Sequence, residues 1–109
     1  MTKIAMHTRL ITAFGLLVAT TTAFGAGEAA LKKGMDLYNN KDYIGAYTYF
    51  RDAAEAGNAA AMANLGVMYD HGRGVTKNDT EAAHWYRKAA DGGNFRGMAN
   101  LGNLYARGR

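Results

Sequence analysis

The sequence of 109 residues has no cysteine, no proline and no serine. Without cysteine there is no disulfide, no thiolate metal site, no cysteine nucleophile and no lipid-bearing N-terminal cysteine. Without serine a Ser-His-Asp triad is excluded. Glycine is abundant at 14 residues, nearly twice the usual share of about 7%. Yet there is no proline and no Gly/Ser-rich run, which argues against a collagen-like or low-complexity chain. Histidine is scarce too. His71 and His84 lack the spacing of a H-E-x-x-H metal site and read as surface residues. Asp70 and His71 are adjacent, so on a helix they point about 100° apart and do not form an acid–base pair. A chain of this length makes one small domain. Catalytic, cofactor-binding and metal-binding residues are therefore expected to be none.

Charge is nearly missing from the first quarter. Lys3 and Arg9 are the only formal charges before Glu28. They precede a ten-residue apolar stretch, Leu10 to Ala19, and then the small residues Ala23 and Gly25 around Phe24. A basic start, an apolar middle and small residues at the −3 and −1 positions form the pattern of a secretory signal peptide. Residues 1–25 are expected to be that leader, cleaved after Gly25, with the mature protein periplasmic or secreted. The apolar stretch falls short of the ~20 residues that span a bilayer, so no membrane span is expected after cleavage. The whole chain carries a net charge of +4. Removing Lys3 and Arg9 leaves eleven basic and nine acidic residues, a net of +2. That is not the clustered basic footprint of a nucleic-acid binder.

Residues 26–109 repeat. Shifted by 36 positions, residues 57–73 match residues 93–109 at ten of 17 pairs, including Leu65/Leu101, Gly66/Gly102, Tyr69/Tyr105 and Gly72/Gly108. The same shift aligns Ala46 with Ala82, Arg51 with Arg87, and Tyr49-Phe50 with Trp85-Tyr86. A period in the 20–50 range signals stacked supersecondary units. The domain divides into a divergent first repeat at 28–56, a full repeat at 57–92 and a partial one at 93–109. Apolar spacing predicts five helices, over 28–39, 42–56, 59–71, 79–91 and 95–106. Asn58 and either Asn78 or Asp79 are the expected caps, and Gly72 and Gly92-Gly93 the expected stops. The inward residues predicted are Ala61, Met62, Leu65, Gly66, Met68 and Tyr69, then Ala82, Trp85, Tyr86 and Ala89. Mid-helix Gly66 and Gly102 are expected to admit a close neighbour. Trp85 should fill the space between layers. Met35, Met62, Met68 and Met98 should pack inside. The first unit is four residues shorter, its loop reduced to Asn39-Asn40-Lys41-Asp42.

The pattern Ala-x-x-Asn-Leu-Gly-x-x-Tyr-x-x-Gly-x-Gly-Val, followed by Ala-x-x-Trp-Tyr-x-Lys-Ala-Ala-x-x-Gly, resembles the Sel-one-like repeats, a branch of the tetratricopeptide-like solenoids. Leu65, Gly66, Tyr69, Gly72, Gly74, Ala82, Trp85, Tyr86, Ala89, Ala90, Gly93, Leu101, Gly102 and Tyr105 carry it. The resemblance covers residues 28–109 and is strongest over 57–109. It implies an all-α, right-handed α/α solenoid of about two and a half repeats that serves as a scaffold for other proteins. One branch is secreted, rich in cysteine and linked to β-lactam binding. With no cysteine, this chain takes neither those bridges nor that activity from the resemblance.

The last unit reaches Arg109 with only its first helix, so Met98, Leu101, Leu104 and Tyr105 are expected to lack cover. The sequence is accordingly expected to be a fragment, one alternative being a piece of a longer signalling or regulatory repeat protein, or to have that helix covered by something else. One functional feature stands out. Beside the buried face of each first-type helix runs a stripe: Glu28, Lys32, Met35 and Asn39, then Ala60, Asn64, Val67 and His71, then Arg96, Asn100, Asn103 and Arg107. Stacking sets these stripes side by side on the concave surface. Amides bond a peptide backbone as donor or acceptor, and arginine clamps a carboxylate. Asn64, Val67, His71, Arg96, Asn100, Asn103 and Arg107 are thus the expected contact stripe for an extended or acidic peptide of a partner protein. The alternative is a binder or hydrolase of cell-wall-like compounds or β-lactams. Asn78-Asp79-Thr80 also fits a glycosylation sequon, though it doubles as a helix start.

Overall fold

The computed structural model describes residues 27–108. The leader assigned to residues 1–25, its cleavage after Gly25, and Arg109 lie outside the described residues. Among those described there are five helices and no strand. They are α1 (27–39), α2 (Tyr43–Glu55), α3 (Ala59–His71), α4 (Asp79–Asp91) and α5 (Phe95–Ala106). No helix among them is long and apolar enough to cross a membrane.

Each boundary has a chemical cause. A short polar side chain at the N-cap accepts from one of the first free amides, which no turn of the helix satisfies. Asp42 accepts from Gly45 N, so α2 begins one residue later than its periodicity suggests. Asn58, Asn78 and Asn94 do the same for Ala61, Glu81 and Gly97. Asn78, not Asp79, is therefore the cap of α4. Gly72 ends α3 in the left-handed region at φ 66°, where a side chain would be strained.

The helices stack in chain order. α2 packs on α3, α3 on α4, and α4 on α5, with a lesser α3–α5 contact. The first core joins Phe50 and the alanines of α2 to Leu65 and Met68 of α3, flanked by Leu31, Leu37 and Trp85. The second joins Ala82 and Tyr86 of α4 to Leu104 of α5. Small residues make the close spacing possible. A Cβ on Gly34 would lie 2.6 Å from the Phe50 ring, and one on Gly66 would lie 2.4 Å from the Tyr86 ring. Phe50 and Tyr86 are equivalent in the 36-residue repeat. Each thus rests its ring on the glycine of the preceding first-type helix.

Several expectations need correcting. Gly102 has nothing within 4 Å of its would-be Cβ, because no described aromatic plays the part for α5 that Tyr86 plays for α3. Trp85 is only half-buried, with the Lys88 ammonium 5.0 Å from its ring centre. The fully enclosed aromatic is its neighbour Tyr86, whose ring lies on Gly66 and whose hydroxyl reaches Asp70. Met68 is buried, but Met35 and Met98 are exposed. Met62 and Tyr69 are half-buried. On α5, Met98 and Tyr105 are exposed and Leu101 half-covered, while Leu104 is fully enclosed beneath Tyr86.

Candidate functional site

The seven residues of the expected contact stripe line two adjoining clefts, whereas Glu28 and Ala60 of the wider stripe border a separate hollow near the start of α1. The first, a cavity of about 200 Å³, lies between α1 and α3 and includes Met35, Asn39, Asn64, Val67 and Arg96. The second, about 500 Å³, lies between α3 and α5 and includes Val67, His71, Asn100, Asn103 and Arg107. Val67 belongs to both. Each of the seven residues from Asn64 to Arg107 thus borders one of two clefts that adjoin at Val67 and together form the groove. The first-type helices form its walls because the second-type helices lie behind them. The latter still reach the groove through one ring each, Phe50 in the first cleft and Tyr86 in the second.

The polar groups are not all available. Arg107 donates to both carboxylate oxygens of Asp70, at 3.0 and 3.3 Å. Asp70 is only 6% exposed and also accepts from the Tyr86 hydroxyl at 3.2 Å. A buried carboxylate requires such partners, since an unpaired charge in a low-dielectric site is costly. Burial, then the Asp70 charge and hydrogen bond, pushes the Tyr86 phenol well above its ordinary range. This inward carboxylate was not singled out as inward from the sequence. Asp70 reads locally as one more polar residue beside His71, and its partners come from 16 and 37 residues away. Its repeat counterpart is Ala106, so the repeat gives no signal either. Arg107, expected as a carboxylate clamp, has its charge answered within the chain.

Arg96 differs. Its guanidinium donates to Asn64 Oδ1 at 2.6 Å, a neutral partner that leaves the positive charge in place. Asn64 is thereby fixed in orientation, and its amide nitrogen remains as a donor. His71, Asn103 and Arg107 stand exposed at one end of the groove, and Asn100 is half-buried. Among the described residues no three histidine or acidic side chains converge in a way that could hold a metal ion.

The other signature residues are structural. Gly74, at φ 73°, brings the loop after α3 so close to α2 that a Cβ would sit 2.5 Å from the Tyr43 carbonyl oxygen. Arg73 beside it lies over the rings of Tyr38 and Tyr43 and donates to the Tyr38 hydroxyl. Gly93, at φ 87°, turns the chain from α4 into α5. The Tyr69 hydroxyl meets that of Tyr47 at 2.8 Å, and Arg51 donates to Tyr47. Its counterpart Tyr105 receives the Arg87 guanidinium directly. Leu65 and Ala89 are buried, and Ala90 is half-buried.

No curated protein matches the chain. Among solved structures it is similar to the crystal structure of a Sel1 repeat protein from Oxalobacter formigenes, with 37% identity and a TM-score of 0.70. That similarity covers 76% of this chain and 36% of that protein, so the chain spans little more than a third of its length. The family model for the Sel1 repeat matches residues 29–58 and 59–94, the two helix pairs α1–α2 and α3–α4 in turn. With more than half of its length matched and the helix pairs falling in step with the matches, the chain belongs to the Sel1 repeat family.

Proposed function

We propose that the chain is an exported, non-enzymatic scaffold that holds an extended segment of a partner protein in the groove between α1, α3 and α5. Sel1 repeats typically mediate protein binding. The observation that carries the reading here is that the two clefts adjoin along the predicted stripe. Seven residues chosen from helical register alone border two clefts that share Val67. Its amides, Asn103 exposed and Asn64 and Asn100 half-buried, suit a peptide backbone, whose donors and acceptors alternate. Export rests on the pattern of residues 1–25.

The protein would be panned against a random peptide library, and the enriched peptides mapped by amide chemical shifts. Binding is expected to perturb Asn64, Val67, His71 and Asn100 above the rest. Failure to enrich any peptide, or shifts on another face, overturns the scaffold reading. Expression from the full gene with N-terminal sequencing of the exported product is expected to give Ala26 as the first residue. An uncleaved product retained in the cytoplasm overturns export.

A further inference from the structure

The first cleft is unlike the second in ways that specify what it accepts. More of its lining is apolar than polar: Phe50, almost fully enclosed, with Met35, Tyr38 and Val67 around it, and Asn39 and Asn64 beside them. Its volume of about 200 Å³ exceeds the ~150 Å³ that admits a benzene-sized molecule, so one large apolar side chain fits. Met35 is 47% exposed at the mouth, and an unbranched thioether adapts to differing shapes. No carboxylate lines this cleft, and the one cation on its rim, Arg96, bonds only a neutral amide there. In the second cleft Arg107 is matched by Asp70. Of the two guanidiniums in the clefts, the one with no carboxylate bonded to it therefore stands at the edge of the apolar pocket.

From this charge complementarity we infer that the first cleft is the anchor subsite for a short linear motif. The motif is a large apolar side chain seated on Phe50, with an aspartate or glutamate beside it held by Arg96. The inference rests on the reading of the groove as a peptide site and adds the identity of the peptide. Arg96 is pre-positioned by Asn64, and a fixed fork loses less freedom on engaging a carboxylate than a free one. From Asn64 to His71 the groove follows α3 for seven residues, about 10 Å at 1.5 Å each. An extended peptide covers that in about three residues at roughly 3.3 Å per residue. The recognised stretch is then four or five residues. It has its apolar–acidic pair at the α1 end and main chain or polar side chains against Asn100 and Asn103.

The test uses the enriched peptides from the library and fluorescence anisotropy. They are expected to share a Leu, Met or Phe with Asp or Glu at a neighbouring position. Replacing that acidic residue by its amide, or changing the protein by Arg96→Glu, should weaken binding about tenfold or more. Met35→Glu places a like charge at the mouth and should do the same. Ile44→Asp, on an exposed position of α2 away from both clefts, should leave affinity unchanged. Thermal melts confirm that each variant is folded. Peptides that shift groove residues but lack the apolar–acidic pair, or ignore Arg96→Glu, overturn the anchor while the scaffold reading stands. Absence of any groove-binding peptide overturns both.

Discussion

Gly66 and Gly102 are equivalent in the repeat, sit mid-helix in α3 and α5, and have opposite surroundings. Alanine at each therefore separates helix propensity from packing. Exchanging a helix-interior glycine for alanine gains about 0.5–1 kcal/mol where nothing opposes it. At Gly102 nothing lies within 4 Å, so the full gain is expected. At Gly66 the new methyl would lie 2.4 Å from two carbons of the Tyr86 ring. Carbon contacts are comfortable at about 3.5–4.0 Å, so something must move by more than 1 Å. The ring has little freedom to do so. Tyr86 is 1% exposed and its hydroxyl is tied to Asp70. Overpacking costs about 1–3 kcal/mol, and losing a hydrogen bond to a charged acceptor adds about 1.5–3 kcal/mol. Set against the propensity gain, Gly66→Ala should destabilise by roughly 1.5–5.5 kcal/mol. In a domain of this size each kcal/mol moves Tm by about 4–8 °C. Circular dichroism melts should show Gly66→Ala lowered by at least about 6 °C and Gly102→Ala raised by a few degrees. A Gly66→Ala protein as stable as the parent would refute the account of α3–α4 packing.

Other outcomes follow from named contacts. Tyr69 is raised to about 12, first by burial and then by its bond to Tyr47, and Tyr86 is raised as well. A phenol whose pKa is higher when folded stabilises the fold below pH about 10. That contribution is lost as pH climbs through the folded value. Absorbance at 295 nm should thus show two of the seven tyrosines ionising only with alkaline unfolding, and titration of all seven near pH 10 would contradict this. Asn94→Ala removes the cap on Gly97 N and should cost about 1 kcal/mol in urea melts, with Asn94→Gly costing only a few tenths. Arg107→Ala leaves Asp70 buried with Tyr86 as a donor and should cost about 1–3 kcal/mol, while Arg107→Ala combined with Asp70→Asn recovers part of that loss.

The helices were legible because their ends are written in short-range chemistry. Asn58, Asn78, Asn94 and Gly72 act on amides and carbonyls only a turn away, and the observed bounds fall within one residue of those expected. The groove was legible for the same reason, since register along α3 and α5 decides which side chains share a face. What register could not supply was the identity of the neighbour. Gly66 and Gly102 are identical in the repeat, yet only one lies under a ring. Trp85 and Tyr86 are adjacent and equally placed about the stripe of Ala82 and Ala89. Only the bare Gly66 and the Asp70 carboxylate, both on another helix, mark Tyr86 as the inward one. Asp70 became a buried charge only when α4 and α5 arrived with a phenol and a guanidinium. Phe50 entered the groove from behind, from a helix outside the predicted stripe.

The stacking order has a kinetic consequence. Each helix touches its neighbour in sequence, and the further contacts, α3 with α5 and α1 with α3 beside the first cleft, span a single intervening helix. Chains whose contacts are this local close only short loops on the way to the native state, and they fold in microseconds to milliseconds. Any adjacent pair can start the process and the rest add on, as in other linear arrays. Loss of structure then runs the opposite way, from the outer helices inward. α3, clasped between α2 and α4 and carrying one wall of both clefts, should exchange its amides last.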